Sequence, residues 1–154
     1  MSERVWRLPG LPAKRVKNGS AHEVPLTPLA IELIEEGLER ARGDLILPSY
    51  LTGRPITNFA VAKAMRTGLA TFELENVTAH DLRRTAATQM AGLGVERLVV
   101  DKVLNHVSAD RSTIAGVYDR HAYREQKAAA LEAWSKQLIS ITGGEEASRG
   151  EAAA

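Results

Sequence analysis

The chain has 154 residues and a formal net charge of +1, with 44% hydrophobic and 25% charged residues. This length and balance are typical of one globular domain with its own core and exclude a largely disordered chain. The absence of cysteine excludes a disulfide framework, a thiolate metal site and a cysteine nucleophile. Without a long apolar run or a signal-peptide core, the sequence predicts a cytoplasmic protein with no membrane partner.

The first 26 residues are predicted to form a small antiparallel sheet. Strand-like stretches at 5–8, 14–16 and 22–24 are separated by turn-forming residues. The second separation is the run Lys17-Asn18-Gly19-Ser20, and Asn-Gly is a strong hairpin signal because both residues tolerate a positive φ. The sequence therefore places Lys17 at a hairpin turn.

A helical body is predicted after the sheet. Thr27-Pro28 provides an N-cap and a proline at the first helical position, and apolar residues then recur at helical spacing. Residues 140–154 are rich in Gly, Glu, Ser and Ala and are predicted to be a disordered tail after a domain over 1–139. The fold class predicted is α+β, mostly α, with a small N-terminal antiparallel sheet before a helical bundle. Helices are predicted over 27–42, 57–69, 79–93, 96–104, 110–119 and 122–138.

Five side chains are candidates for chemistry: Lys17, His80, Arg83, His106 and Tyr118. His80 and Arg83 are three positions apart in a predicted helix, so both can face one cleft. His106 ends a Leu-Asn-His run after the next predicted helix, and Tyr118 follows in a separate segment. The histidines lack the close spacing of metal ligands, so no metal site is predicted.

Taken one at a time, these positions also have structural explanations. Thr78 and Asp81 predict a helix N-terminus with a capping threonine and a favourable acid. His106 could complement the dipole at a helix C-terminus, Tyr118 could be a packed core residue, and Lys17 could be a solvated turn lysine. Only the joint order and spacing favour a functional interpretation.

That joint pattern resembles the catalytic domain of the tyrosine recombinases, the phage integrase family. The resemblance extends from Trp6 through Leu138 and consists of a hairpin lysine, an H-x-x-R pair, a Leu-Asn-His run and a tyrosine. The family also has an arginine on a helix before the hairpin lysine, and at the family's spacing that position falls before Met1. The resemblance therefore implies a catalytic domain that is incomplete at its N-terminus and whose activity alone is impaired.

The resemblance implies site-specific recombination and integration through a covalent 3′-phosphotyrosine, with no cofactor and no small-molecule substrate. Tyr118 would be the nucleophile, Arg83 would clamp phosphate oxygens, and Lys17 would protonate the departing 5′ oxygen. His80 would act as a base or phosphate ligand, and His106 would donate to the phosphate. The implied partner is double-stranded DNA with an attachment-type site, bound by a homotetramer. Two alternatives stay open: a non-catalytic DNA-binding remnant, and a protein-interaction module that keeps only the fold.

Overall fold

The computed structural model describes residues 4–9, 21–41, 45–46, 48–49, 52–74, 77–106 and 123–151, with side chains in the last helix described to residue 143. Within these ranges the chain forms two strands and five helices. The mostly helical α+β fold predicted from the sequence is confirmed. The elements are β1 Val5–Leu8, β2 His22–Pro25, α1 Pro28–Arg40, α2 Asn58–Ala70, α3 Ala79–Gly92, α4 Arg97–Val103 and α5 Arg124–Glu151.

The chain divides into two compact units. Residues Pro28–Ala86 form one of them, called the continuous unit below. Met1–Thr27 and Ala87–Ala154 together form the other, called the discontinuous unit. Helix α3 begins in the continuous unit and ends in the discontinuous unit, so the boundary falls inside a regular helix.

Strands β1 and β2 form a two-stranded antiparallel sheet in the discontinuous unit. The register places Val5 opposite Pro25 and Leu8 opposite His22. This confirms the predicted strands at 5–8 and 22–24, whereas the predicted strand at 14–16 lies outside the described residues.

The described core lies entirely in the discontinuous unit. Its buried apolar residues come from the end of α3, from α4 and from α5. Helix α5 contacts both β2 and α4, and small alanine side chains allow this close approach while favouring the helix. The buried apolar residues are Met90, Val99, Val100 and Ala130.

The continuous unit has no buried residue among those that the structure describes. Helix α2 begins where the Thr57 hydroxyl accepts a hydrogen bond from the Ala60 N–H at 3.2 Å, an N-cap that satisfies one of the donors left over at a helix start. A Cβ at Gly37 would lie 2.8 Å from Cγ2 of Ile46, so glycine permits the close contact of α1 with this residue. Phe59 and Phe72 remain 74% and 67% exposed.

Most helix ends agree with the prediction within one or two residues. The predicted helix over 110–119 lies outside the described residues. Helix α5 does not end at Leu138, as the sequence predicted, but continues to Glu151. Its helical backbone therefore includes most of the segment 140–154 for which the sequence predicts a disordered tail, and the division into a domain and a tail stays a prediction.

Candidate active site

Helix α3 begins with a reciprocal set of hydrogen bonds between Thr78 and Asp81. The Asp81 carboxylate accepts from the Thr78 hydroxyl at 2.6 Å and from the Thr78 N–H at 3.0 Å. In return, the Asp81 N–H donates to the Thr78 hydroxyl oxygen at 3.4 Å. This is the capping box that the sequence indicated, and it defines the first turn of the helix that carries His80 and Arg83.

The same contacts favour the charged form of Asp81. The Thr78 hydroxyl, followed by the Thr78 N–H, lowers the pKa of the Asp81 carboxyl below its ordinary value of 3.8. Electrostatic interactions with Arg84 and, to a smaller extent, His80 lower this pKa further. Arg84 also forms an ion pair with Asp81, with 3.8 Å between Nη1 and Oδ1.

His80 and Arg83 are both exposed and lie three positions apart on α3. Residues at this spacing are neighbours on a helix surface, so the imidazole and the guanidinium share one face. A groove of about 580 Å³ lies in the same unit, lined mainly by apolar side chains of α2 and by the chain that leads into α3. Thr78 and Ala79 form part of its wall, so the groove adjoins the first turn of α3.

His106 follows the end of α4 in the discontinuous unit. Its ring Nδ1 lies 3.1 Å from Oδ1 of Asp101, and its backbone N–H donates to the Asp101 carbonyl at 2.9 Å. The imidazole is 51% exposed, so it remains accessible to a ligand while it contacts Asp101.

Lys17 and Tyr118 lie outside the described residues. Each belongs to a segment whose following residues are described: β2 comes after residues 10–20, and α5 comes after residues 107–122. Strand β2 contacts α5, so the chain that follows Lys17 and the chain that follows Tyr118 meet in the discontinuous unit.

Two side-chain contacts join α5 and the residue before it to β2 and α4. The Lys127 ammonium of α5 donates to the Glu23 carbonyl of β2, and only 8% of Lys127 is exposed. Burial lowers the pKa of Lys127 below its ordinary value of 10.5, an effect that the Glu23 carboxylate partly opposes. Lys102 at the end of α4 lies 5.3 Å from the ring centre of Tyr123, just before α5, in a cation–π contact.

Two of these residues were not found from the sequence. The sequence did contain an indication of the contact with Asp101. Asn105 follows a predicted helix end, and an asparagine there tolerates the left-handed conformation that turns the next residue, His106, back towards the helix. Lys127 had none, because its burial depends on β2, which is distant in sequence. Among the described residues, no cluster of three potential metal ligands occurs. In the same part of the chain, no helix combines the length and apolarity of a membrane span.

The sequence matches the phage integrase family over residues 1–125. The chain belongs to this family. It is similar to prophage integrase IntZ of Escherichia coli (strain K12), with 28% identity over 136 residues, 87% of this chain and 32% of that protein. Prophage integrase IntA of the same strain is 29% identical over 142 residues, 90% of this chain and 32% of that protein. The chain thus spans about a third of the length of these integrases, and no solved structure matches it significantly.

Of the five candidates in this integrase-family chain, the structure describes His80, Arg83 and His106. His80 and Arg83 share a face in the continuous unit, whereas His106 lies in the discontinuous unit. All three are exposed, as side chains must be if they are to contact DNA.

Proposed function

We propose that this chain is the catalytic region of a site-specific recombinase that cuts and rejoins double-stranded DNA through a covalent bond to Tyr118. The observation that carries the proposal is the family match over residues 1–125, a range that contains all five candidate residues. The relatives are named prophage integrases, which supports integration at an attachment-type DNA site as the biological outcome.

The proposed cleavage step exchanges one phosphodiester bond for another. The Tyr118 oxygen attacks the phosphorus, forms a 3′-phosphotyrosine bond and displaces the 5′ oxygen of the next nucleotide. Lys17 gives that oxygen a proton, while a base, proposed to be His80, accepts the proton of the phenol. Rejoining reverses these steps, so the reaction needs no external energy source.

Arg83 is proposed to stabilise the charge that develops on the phosphate. A guanidinium can donate two parallel hydrogen bonds to phosphate oxygens, and the exposed position of Arg83 beside His80 suits this task. Arg84, which pairs with Asp81, is assigned to the helix start instead. His106 is proposed to donate a third hydrogen bond to the same phosphate.

The central test is the capture of a covalent protein–DNA adduct. The chain is incubated with duplexes of randomised sequence, denatured in detergent and assayed for DNA that remains attached to protein. We expect adducts in which peptide mapping locates the attached DNA at Tyr118. Tyr118→Phe should form no adduct while its DNA affinity stays unchanged. DNA binding that weakens with salt but never gives an adduct would instead favour the non-catalytic remnant.

The role of Arg83 has a matched control on the same helix. Arg83→Gln is expected to reduce the rate of adduct formation on the order of 10²–10³-fold, by analogy with the loss of one oxyanion donor. Arg84→Gln removes an equal charge from the neighbouring position and is expected to retain most of the rate. Equal losses in the two variants would contradict the assignment of Arg83.

The homotetramer is a separate part of the proposal. Light scattering of the chain with a captured duplex would show four protomers on two duplexes if it is correct. Absence of any DNA binding at low salt would favour the protein-interaction alternative and would overturn both the recombinase and its assembly.

A further inference from the structure

The chain before His106 forms a tight turn that closes helix α4. Leu104 ends the helix in a right-handed conformation, and Asn105 then takes a positive φ of 53°. The Asn105 N–H donates to the Lys102 carbonyl at 3.3 Å, and the His106 N–H donates to the Asp101 carbonyl at 2.9 Å. These two bonds define a Schellman motif, which directs His106 back along the last turn of the helix.

The turn also brings the ring of His106 to the side chain of Asp101, the residue whose carbonyl accepts the His106 backbone N–H. Asp101 Oδ1 lies 3.1 Å from His106 Nδ1. An ionised carboxylate can only accept a hydrogen bond, so Nδ1 must carry the hydrogen in this contact. Asp101 therefore holds His106 at two points, through its backbone carbonyl and through its carboxylate.

From this geometry we propose that Asp101 is a positioning residue for His106, which orients the imidazole and reserves Nε2 for the DNA phosphate. The inference rests on the proposed function, because it assigns the proton of a ring that the recombinase reaction would use. With Nδ1 committed to Asp101, neutral His106 presents a lone pair at Nε2 and can only accept there. His106 donates to a phosphate oxygen from the imidazolium form, which carries a hydrogen on Nε2 as well as on Nδ1. The Asp101 carboxylate balances the positive charge of this ring.

The backbone geometry favours an orienting contact over a chance surface pair. The contact joins a ring and a carboxylate that are each partly exposed, 51% and 35%, so a flexible pair of this kind would gain little stability. Here, however, the backbone bond and the left-handed Asn105 fix the Cα of His106 relative to Asp101, so little side-chain freedom is lost when the ring contact forms.

The first experiment observes the tautomer directly. Nitrogen-15 spectra of the imidazole are recorded for the full chain at a pH where the ring is neutral, with His106→Ala used for assignment. We expect the hydrogen on Nδ1 in the wild type and a shift towards the Nε2–H tautomer in Asp101→Ala. Asp101→Glu, which keeps a carboxylate, should restore part of the Nδ1–H population.

Glu96→Gln is the matched control. Glu96 lies at the other end of α4 and makes no side-chain cap bond, so its removal should leave the His106 signals unchanged. An unchanged tautomer in Asp101→Ala, or an equal change in Glu96→Gln, would overturn the proposal. Asp101→Leu, a side chain of similar size that cannot accept a hydrogen bond, provides the same comparison should the alanine variant fold poorly.

The second experiment asks whether the orientation matters for cleavage. Asp101→Ala is expected to slow adduct formation on the order of 10-fold, as the loss of a partner that orients a functional histidine does elsewhere. In a His106→Ala background the same change should have no further effect, because Asp101 acts only through that ring. Independent, multiplicative losses would overturn the positioning role.

The two experiments separate the two possible failures. If the wild type shows the Nδ1–H tautomer and that tautomer depends on Asp101, but no variant forms an adduct, the geometry stands and the proposed cleavage falls. If adducts form and depend on Tyr118 while the tautomer ignores Asp101, the recombinase stands and the positioning role falls.

Discussion

The two units of this molecule differ in how far they bury their apolar side chains. The discontinuous unit has a core to which three helices contribute, and it also buries the polar side chains of Lys127 and Ser135. The described part of the continuous unit buries none of its residues and leaves Phe59 and Phe72 largely exposed. Since burial of apolar surface supplies most of the folding free energy, the discontinuous unit is expected to be the more stable one.

This difference bears on the candidate residues, because those that the structure describes are divided between the units. His106 belongs to the well-packed unit, where Asp101 holds it. His80 and Arg83 belong to the continuous unit, where a capping box defines the start of their helix α3 but little burial supports it. Local hydrogen bonds therefore position the described candidates in both units, and only α4, the helix before His106, is also supported by buried side chains.

The largest expected effect on stability comes from replacing a buried methionine by alanine in the discontinuous unit, and the same substitution in the continuous unit provides the comparison. Met90→Ala removes a side chain that is 1% exposed and should lower the free energy of unfolding by about 2–5 kcal/mol. Met65→Ala changes a partly exposed methionine on α2 and should cost clearly less. Urea denaturation measures both losses, and equal values would remove the contrast between the units.

The buried ammonium of Lys127 predicts a pH dependence in the packed unit. Its pKa is lowered on folding, so between that lowered value and 10.5 the unfolded chain holds more of the proton and stability rises with pH. One proton limits the slope to about 1.4 kcal/mol per pH unit.

Lys127→Met lacks the group that titrates and is the control for this slope. The difference in the free energy of unfolding between the wild type and this variant, followed through the alkaline range, isolates the contribution of Lys127. A free energy of unfolding of the wild type minus that of the variant that stays constant or falls as the pH rises would contradict the burial of a charged lysine beside Glu23.

The stability of the continuous unit can be tested at the N-cap of α2. Thr57→Ala removes the acceptor for the Ala60 N–H and should cost about 1 kcal/mol. If the units open separately, hydrogen exchange should accelerate in α2 and remain unchanged in α5. Equal acceleration in both helices would mean that the units unfold together.

The smallest expected effect concerns Asp81 at the start of α3. Because its pKa is lowered on folding, its contribution to stability is present above 3.8 and is lost as the pH falls through the folded value. Asp81→Asn should therefore weaken α3 near neutral pH, and the wild type and the variant should converge in acid. A difference that persists at the lowest pH would point to hydrogen bonding alone, with no part for the charge.

Much of the fold could be read locally. Thr57, Thr78 and Gly94 mark helix ends in the sequence, and the structure places helix ends at each of them, with Gly94 at a φ of 83°. Turn and cap residues are predictable because their backbone preferences act over a few positions. The extension of α5 to Glu151 was missed, since glycines and polar residues beyond Leu138 indicated an end that the helix does not make.

By itself, the sequence determined the helix starts, the strands at the N-terminus and the order of residues that links the chain to the phage integrase family. These depend on near neighbours in the chain and on spacing. Only the tertiary structure decided that Lys127 binds the Glu23 carbonyl and that the core lies in one unit. The reason is physical: burial and side-chain pairing depend on which distant elements meet, and local preferences do not specify those contacts.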